Sequence, residues 1–344
     1  MRRALRSFAS KKKEIVVSGI QPSPTMHLGH LLGSIRTTTS LQEDISSRCF
    51  FFIADLHALG SKQIKDEVAD SSSLQVTMDS FALALACGID PSKTCLFLQS
   101  TNPFLMELYW ILSSICPIHK LESMPRLKSK SQGKPNLGLF SYSLLMAADI
   151  LLYRANRVPI GEDQAPHITL ARYLAEHVNI ISPKTFMMPE ALFSSTPKVA
   201  SLQNVFKKMS SSGQADSERI NLLDSPEIIT KKIKSAKTDM NFEVTDDPRR
   251  KELANLMGIY SSLSGISSEE GYKSYQGKHL RVFKTDLAEK IIAELSPIQK
   301  EFEKLKKNKD HLCKLIEDGK MRALEESYHT KENVKKIFMN LEKK

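Results

Sequence analysis

The chain has 344 residues, 41% hydrophobic and 26% charged, which bounds it to roughly two domains with enough apolar content to bury a core. Its 49 Lys and Arg against 39 Asp and Glu leave a formal charge of +10, which favours a polyanionic partner such as nucleic acid. No apolar stretch approaches the ~20 residues of a membrane span, and five cysteines without a C-x-x-C pair argue against a disulfide framework or a zinc site.

Residues 1–13 carry Arg2, Arg3, Arg6 and Lys11 to Lys13 without an acid, among Leu5, Phe8, Ser7 and Ser10. This profile predicts a short mitochondrial presequence, outside the fold, and with it a matrix location. A basic tail that touches RNA is the alternative. Ile15, Val16 and Val17 form the β-branched run of a strand buried on both faces. A glycine and two prolines between Ser18 and Thr25 require a turn. From His27 onward Leu28, Leu31, Leu32 and Ile35 recur at helical spacing, continuing to Leu41 and Ile45.

A strand, a tight turn and a helix start is how α/β proteins build phosphate sites. Unpaired N–H groups of the first helical turn point at the ligand. Gly29 would let a ligand approach the backbone, and His27 and His30 place two imidazoles at the same end. The chain has neither G-x-x-x-x-G-K-[ST] nor G-x-G-x-x-G, so this is not a Walker loop or a dinucleotide fingerprint. Two solvated histidines at an incidental helix start would read the same way.

Residues 49–59 read as a second buried strand ending in Asp55 and His57, where an open parallel sheet binds ligands; a core histidine is the other reading of His57. Residues 71–88 form an amphipathic helix stopped by Gly88, and residues 94–99 a third strand. Residues 103–116 form a helix that carries the only tryptophan, Trp110. This βαβαβ alternation predicts a doubly wound sheet. Residues 117–138 are a basic loop containing Lys130, either on the ligand side or merely solvated.

Residues 140–152 are a nearly all-apolar helix with one carboxylate, Asp149. A buried acid is costly unless it is paired, so it bonds a neighbour or waits for a ligand donor. Val158 to Gln164 is a strand running into Gly161, followed by a helix through His167, Leu170 and Leu174. It repeats the N-terminal arrangement as a second half-sheet would. Lys207-Lys-Met-Ser-Ser-Ser-Gly is a flexible loop whose cations could meet phosphate, or a linker. Everything after Asp224 reads helical, over residues 226–237, 248–263, 284–304 and 310–344. The expected organisation is an α/β catalytic domain over 14–214, with a connecting insertion at about 103–160, and an all-α domain over 215–344.

Three signals thus follow in order: His27-Leu-Gly-His30, Gly161-Glu-Asp-Gln164 and Lys208-Met-Ser-Ser-Ser212. With Ser-Gly-Ile-Gln-Pro-Ser, Leu-Met-Ala-Ala-Asp-Ile-Leu-Leu-Tyr and Asn255-Leu-Met-Gly-Ile-Tyr-Ser-Ser-Leu-Ser-Gly, they make the chain resemble the class I aminoacyl-tRNA synthetases from about Ile15 to Leu305. Within that class it is similar to the bacterial and organellar tryptophanyl enzymes. The resemblance implies a Rossmann-like fold, activation of L-tryptophan by ATP with Mg2+, transfer to tRNATrp, and a homodimer. It implies no metal held by protein side chains. It assigns His27, His30, Lys208 and Lys130 to the phosphates, with Ser18, Gly19, Gln21, Gly29, Gly161, Asp163, Gln164, Met209 and Ser210 along ATP. Asp149 would accept the indole N–H, with Met146, Val158 and Ile160 as walls, His57 and Tyr142 at the edge, and Tyr142 and Gln164 on the α-amino group. The helices after 215 would meet the anticodon. One position departs from the pattern: the second lysine of the KMSKS loop is Ser211. The tyrosyl enzymes are the near relatives, and a catalytically impaired homologue acting as an RNA-binding or splicing factor is the alternative from another class.

Overall fold

A computed structural model describes residues 14–61, 71–124, 136–193, 199–211 and 215–339. The expected presequence, Lys130 and Ser212 lie outside the described residues. The elements in order are β1 (Glu14–Ile20), α1 (Leu28–His30), a π-helical turn (Leu31–Ile35), α2 (Arg36–Leu41), β2 (Ser47–Ile53), α3 (Asp55–Ser61), α4 (Ser71–Ala86) and β3 (Thr94–Leu98). A 3-10 turn (Gln99–Thr101) leads to α5 (Pro103–Ile115), α6 (Ile118–Glu122), α7 (Leu137–Phe140), α8 (Tyr142–Leu152) and β4 (Arg157–Ile160). A second 3-10 turn (Glu162–Gln164) opens α9 (Ala165–Ile181), and β5 (Glu190–Phe193) follows. Then come α10 (Pro226–Ser235), α11 (Lys251–Ser264), α12 (Ser268–Tyr275), α13 (Leu280–Lys307) and α14 (Lys309–Met339).

The five strands form one parallel sheet in the order β3-β2-β1-β4-β5. This is the doubly wound, Rossmann-like arrangement, with its switch point between β1 and β4. Alternation along β2 explains the two cores. Phe51 and Ile53 face one layer, with Leu28, Leu32 and Phe81, while Phe50 and Phe52 face the other, with Leu112, Ala147 and Leu174.

The first core does not stop at the sheet. It runs on through Leu253, Phe283, Leu287 and Phe302 of the helical half. The last helix, α14, returns to the sheet edge, where Ala323 and Val334 join the second core. Gly319 sits so close to β3 that a Cβ there would overlap the carbonyl oxygen of Leu96. Only glycine permits that approach. Arg322 fixes it, its Nη1 donating to the carbonyls of Pro91 and Thr94.

Several local expectations are corrected. The first helix is not continuous to Ile45: Gly33 breaks it at φ −86°, ψ −106°, helix ends at Leu41, and Ile45 is fully exposed. The run 49–59 is a strand only to Ile53, and Asp55 and His57 belong to α3. Its apolar residues carry no period that separates strand from buried helix. The fifth strand and α12 were not expected; β5 is four residues long and half-exposed at the sheet edge.

Candidate active site

A cleft of about 1350 Å³ opens at the carboxyl ends of β1, β2 and β4. It is lined by Ser18, Gly19 and Gln21 after β1, by Val158, Ile160, Gly161, Asp163 and Gln164 around the end of β4, and by His27, Gly29 and His30 at α1. His57, Tyr142, Met146 and Asp149 form another part of its wall, and Lys208, Met209 and Ser210 close one side. Every site residue read from the sequence that falls among the described residues therefore borders one space. Phe52 and His167 border it too.

The two histidines of α1 hold each other. Nδ1 of His27 accepts the N–H of Gly29 at 3.2 Å, Nδ1 of His30 accepts the N–H of His27 at 3.2 Å, and the ring centroids lie 3.9 Å apart. The N–H of Leu28 is given to the carbonyl of Ile220 at 2.9 Å, and that of His30 to the carbonyl of His27. This corrects the expected anion site: the first-turn N–H groups already have partners. Gly29 is explained likewise, because a Cβ there would meet the His27 ring at 3.0 Å. What remains to face a ligand is imidazole. Burial first, then the His30, Arg219 and Lys208 charges, push His27 down to about 2; burial and Lys208 push His30 down to about 4. Each ring is neutral and accepts at Nδ1, so the hydrogen-bond network assigns its proton to Nε2 as a donor.

The loop that follows residue 198 is built as a narrow two-stranded turn. Ala200 pairs with Lys208, the Met209 N–H donates to the Val199 carbonyl at 3.0 Å, and Met209 is buried. Lys208 is exposed and close enough to lower both histidines. Ser211, in the place of the family's second lysine, donates its hydroxyl to the carbonyl of Thr25 at 2.9 Å.

Asp149 is 3% exposed, and its neighbours explain how a carboxylate survives there. His57 Nε2 lies 2.9 Å from Oδ2, and Gln99 Nε2 donates to both oxygens at 2.9 Å. Burial raises the carboxyl above its ordinary value, while the His57 and Gln99 hydrogen bonds act against that rise. The His57 ring rests on Tyr142, centroids 4.2 Å apart. Gln99 was missed in the sequence because it closes an apolar strand run: the Ser-Thr-Asn-Pro cluster after it marks a turn, but no local pattern shows that its amide reaches Asp149 and His57. His167, buried and bonded from Nδ1 to Ser143 Oγ at 2.9 Å, was read only as part of a helix.

Among the cations after residue 215, where the tRNA contact is expected, Arg219 and Lys232 are buried. Lys232 is held 2.7 Å from both Asp216 and Asp224, and Arg219 bonds Asn221 and Asp216. These two are structural, whereas Lys231 and Lys234 are exposed.

The model of the class I tRNA synthetases (W and Y) matches residues 9–296. A tryptophan–tRNA ligase of Rickettsia typhi is 42% identical over 332 residues, 95% of this chain and 98% of that protein. A tryptophanyl-tRNA synthetase structure from Campylobacter jejuni, complexed with ADP and tryptophan, aligns with a TM-score of 0.77 at 31% identity, covering 94% of this chain and 98% of that one. One from Mycoplasma pneumoniae aligns with a TM-score of 0.85 at 26% identity, over 95% and 98%. The chain belongs to the class I tRNA synthetases of the tryptophan and tyrosine group.

Proposed function

We propose that this synthetase is a tryptophan–tRNA ligase. It joins the carboxylate of L-tryptophan to the α-phosphate of ATP, releases pyrophosphate, and passes the tryptophanyl group to tRNATrp. The observation that carries the reading is Asp149, a desolvated acceptor in the wall of a cleft large enough for both substrates. An indole offers one N–H on a flat apolar ring, and Met146, Val158 and Ile160 supply the apolar wall. A tyrosine side chain has no donor at that point and leaves the carboxylate under-bonded. Sites built on a buried hydrogen bond reject the wrong substrate by roughly 10⁴–10⁵.

The Nε2–H donors of His27 and His30, with Lys208, meet the ATP phosphates. Ser18, Gly19, Gln21, Gly161, Asp163 and Gln164 lie along the nucleotide and the amino-acid head, and Tyr142 and Gln164 take the α-amino group. Transfer at phosphorus needs positioning and charge neutralisation more than covalent help. Among the described residues no group of three His, Cys, Asp or Glu side chains could hold a metal. Mg2+ in this reading arrives on ATP, bound by phosphate oxygens.

The helical half carries the tRNA, with exposed Lys231 and Lys234 available to phosphates. The enzyme acts as a homodimer. Met106 and Trp110, one turn apart on α5 and 45% and 73% exposed, support an apolar contact with another chain. The acid-free N-terminus supports import and service in the mitochondrial matrix; among the described residues no helix is long and apolar enough to cross a membrane. The test is charging of a tRNATrp transcript by the chain from Glu14 onward, with ATP, Mg2+ and labelled tryptophan. A base-labile tryptophanyl ester is the expected product. Its absence, with the transcript still bound, would favour the RNA-binding alternative.

A further inference from the structure

Gln99 is 1% exposed and opens the 3-10 turn that follows β3. Its amide can stand only one way round. Oε1 accepts the backbone N–H of His57 at 3.3 Å, and a backbone N–H cannot be exchanged for an acceptor, so Nε2 must face Asp149. There it donates to Oδ1 and Oδ2 at 2.9 Å each, while His57 adds a second contact to Oδ2 at 2.9 Å. The contacts are unequal by design of the geometry: Oδ2 receives two and Oδ1 one. Each carboxylate oxygen has about two lone-pair sites, so Oδ1 is the oxygen with capacity to accept a further donor.

The turn itself is gripped from behind. Asn102 caps α5 through the N–H of Phe104 at 3.1 Å, and its Nδ2 donates to Tyr153 Oη at 2.9 Å and to Ser327 Oγ at 3.0 Å. Tyr153 directly follows α8, the helix that bears Asp149, and Ser327 belongs to α14. The backbone of residues 99–102 is thereby tied to α8 on one side and to the C-terminal helix on the other.

We propose that Gln99 is a positioning residue that orients the Asp149 carboxylate so that Oδ1 meets the indole N–H, and so sets the discrimination for tryptophan. The proposal rests on the reading of Asp149 given above. A neutral amide suits the task, because it fixes the plane of the carboxylate without cancelling its charge, as a lysine or arginine would.

The test is ATP–pyrophosphate exchange by the full chain with tryptophan and with the analogue in which a ring sulfur replaces the indole N–H. Wild type is compared with Gln99→Met, which keeps the volume, and Gln99→Asn, which keeps an amide but shortens its reach. In both variants kcat/KM for tryptophan falls by roughly 10- to 100-fold, the loss expected for a hydrogen bond to a charged group. The value for the sulfur analogue and the KM for ATP stay near wild type, so the preference narrows. An equal loss for both amino acids, or no loss, would overturn the role of Gln99 while leaving Asp149 intact. Wild type using both amino acids equally well would overturn the Asp149 reading, and this proposal with it.

Discussion

The hydroxyl of Ser211 is tied to the backbone carbonyl of Thr25 at 2.9 Å, joining the Lys208 loop to the turn that precedes His27. Where the family's usual loop carries a second cation, this chain carries a latch. The loop also rests on buried Met209 and the Ala200–Lys208 pairing, so the latch is one of several ties that hold it. Ser211→Ala is expected to raise the KM for ATP about fivefold, as a net hydrogen bond of ~1 kcal/mol implies. The KM for tryptophan should not move. Steady-state exchange with each substrate varied in turn measures both.

Lys208 is exposed and close enough to bear on both histidines, and in the proposed reaction it meets the leaving pyrophosphate. Loss of one preorganised donor costs about 10²–10³ in rate. Lys208→Ala should reduce pyrophosphate exchange by that order while leaving the thermal midpoint unchanged. Intact exchange would remove the loop from the phosphate site.

The histidine pair predicts an acid limb in stability. Both rings are pushed below the free value of 6.5, His27 to about 2 and His30 to about 4. Below pH 6.5 the unfolded chain therefore takes up protons that the folded chain refuses. Stability present above 6.5 is lost as pH falls toward 4, and for His27 onward toward 2. Urea midpoints of the ligand-free protein between pH 7 and 4 should fall, and fall less steeply in His27→Gln. Parallel slopes for the two proteins would contradict the assignment.

Much of this was legible in the sequence, and the limits have physical reasons. The β-branched run at Ile15, the Gly-Pro turn and the cluster at His27 state the strand, the turn and the helix start outright. Asp149 is conspicuous because a lone acid in an apolar helix demands an explanation. Gln99 is silent, since its meaning lies in contacts with residues 42 and 50 positions away. Periodicity also hides the π-turn at Leu31–Ile35, because the same apolar residues face the core on either side of Gly33. The return of α14 to β3 cannot be read from local pattern at all: a glycine inside a helical run looks like a weakness until Leu96 is seen beneath it.

That glycine gives a stability prediction far from the chemistry. Gly319→Ala places a methyl against the Leu96 carbonyl, and neither partner is a flexible side chain. Although alanine is the better helix former, the overlap should destabilise by roughly 1–3 kcal/mol, as overpacking does. A calorimetric midpoint lowered by several degrees is expected. An unchanged or raised midpoint would mean that α14 is not seated on β3 as described.

The most direct test of the account is ATP–pyrophosphate exchange by the purified chain from Glu14, with Mg2+, offering tryptophan and tyrosine separately and repeating both with Asp149→Ala. The account predicts exchange with tryptophan, none above background with tyrosine, and a loss of at least about 10²-fold in the variant. Exchange with tyrosine in place of tryptophan, or tryptophan exchange that survives the loss of Asp149, would contradict it.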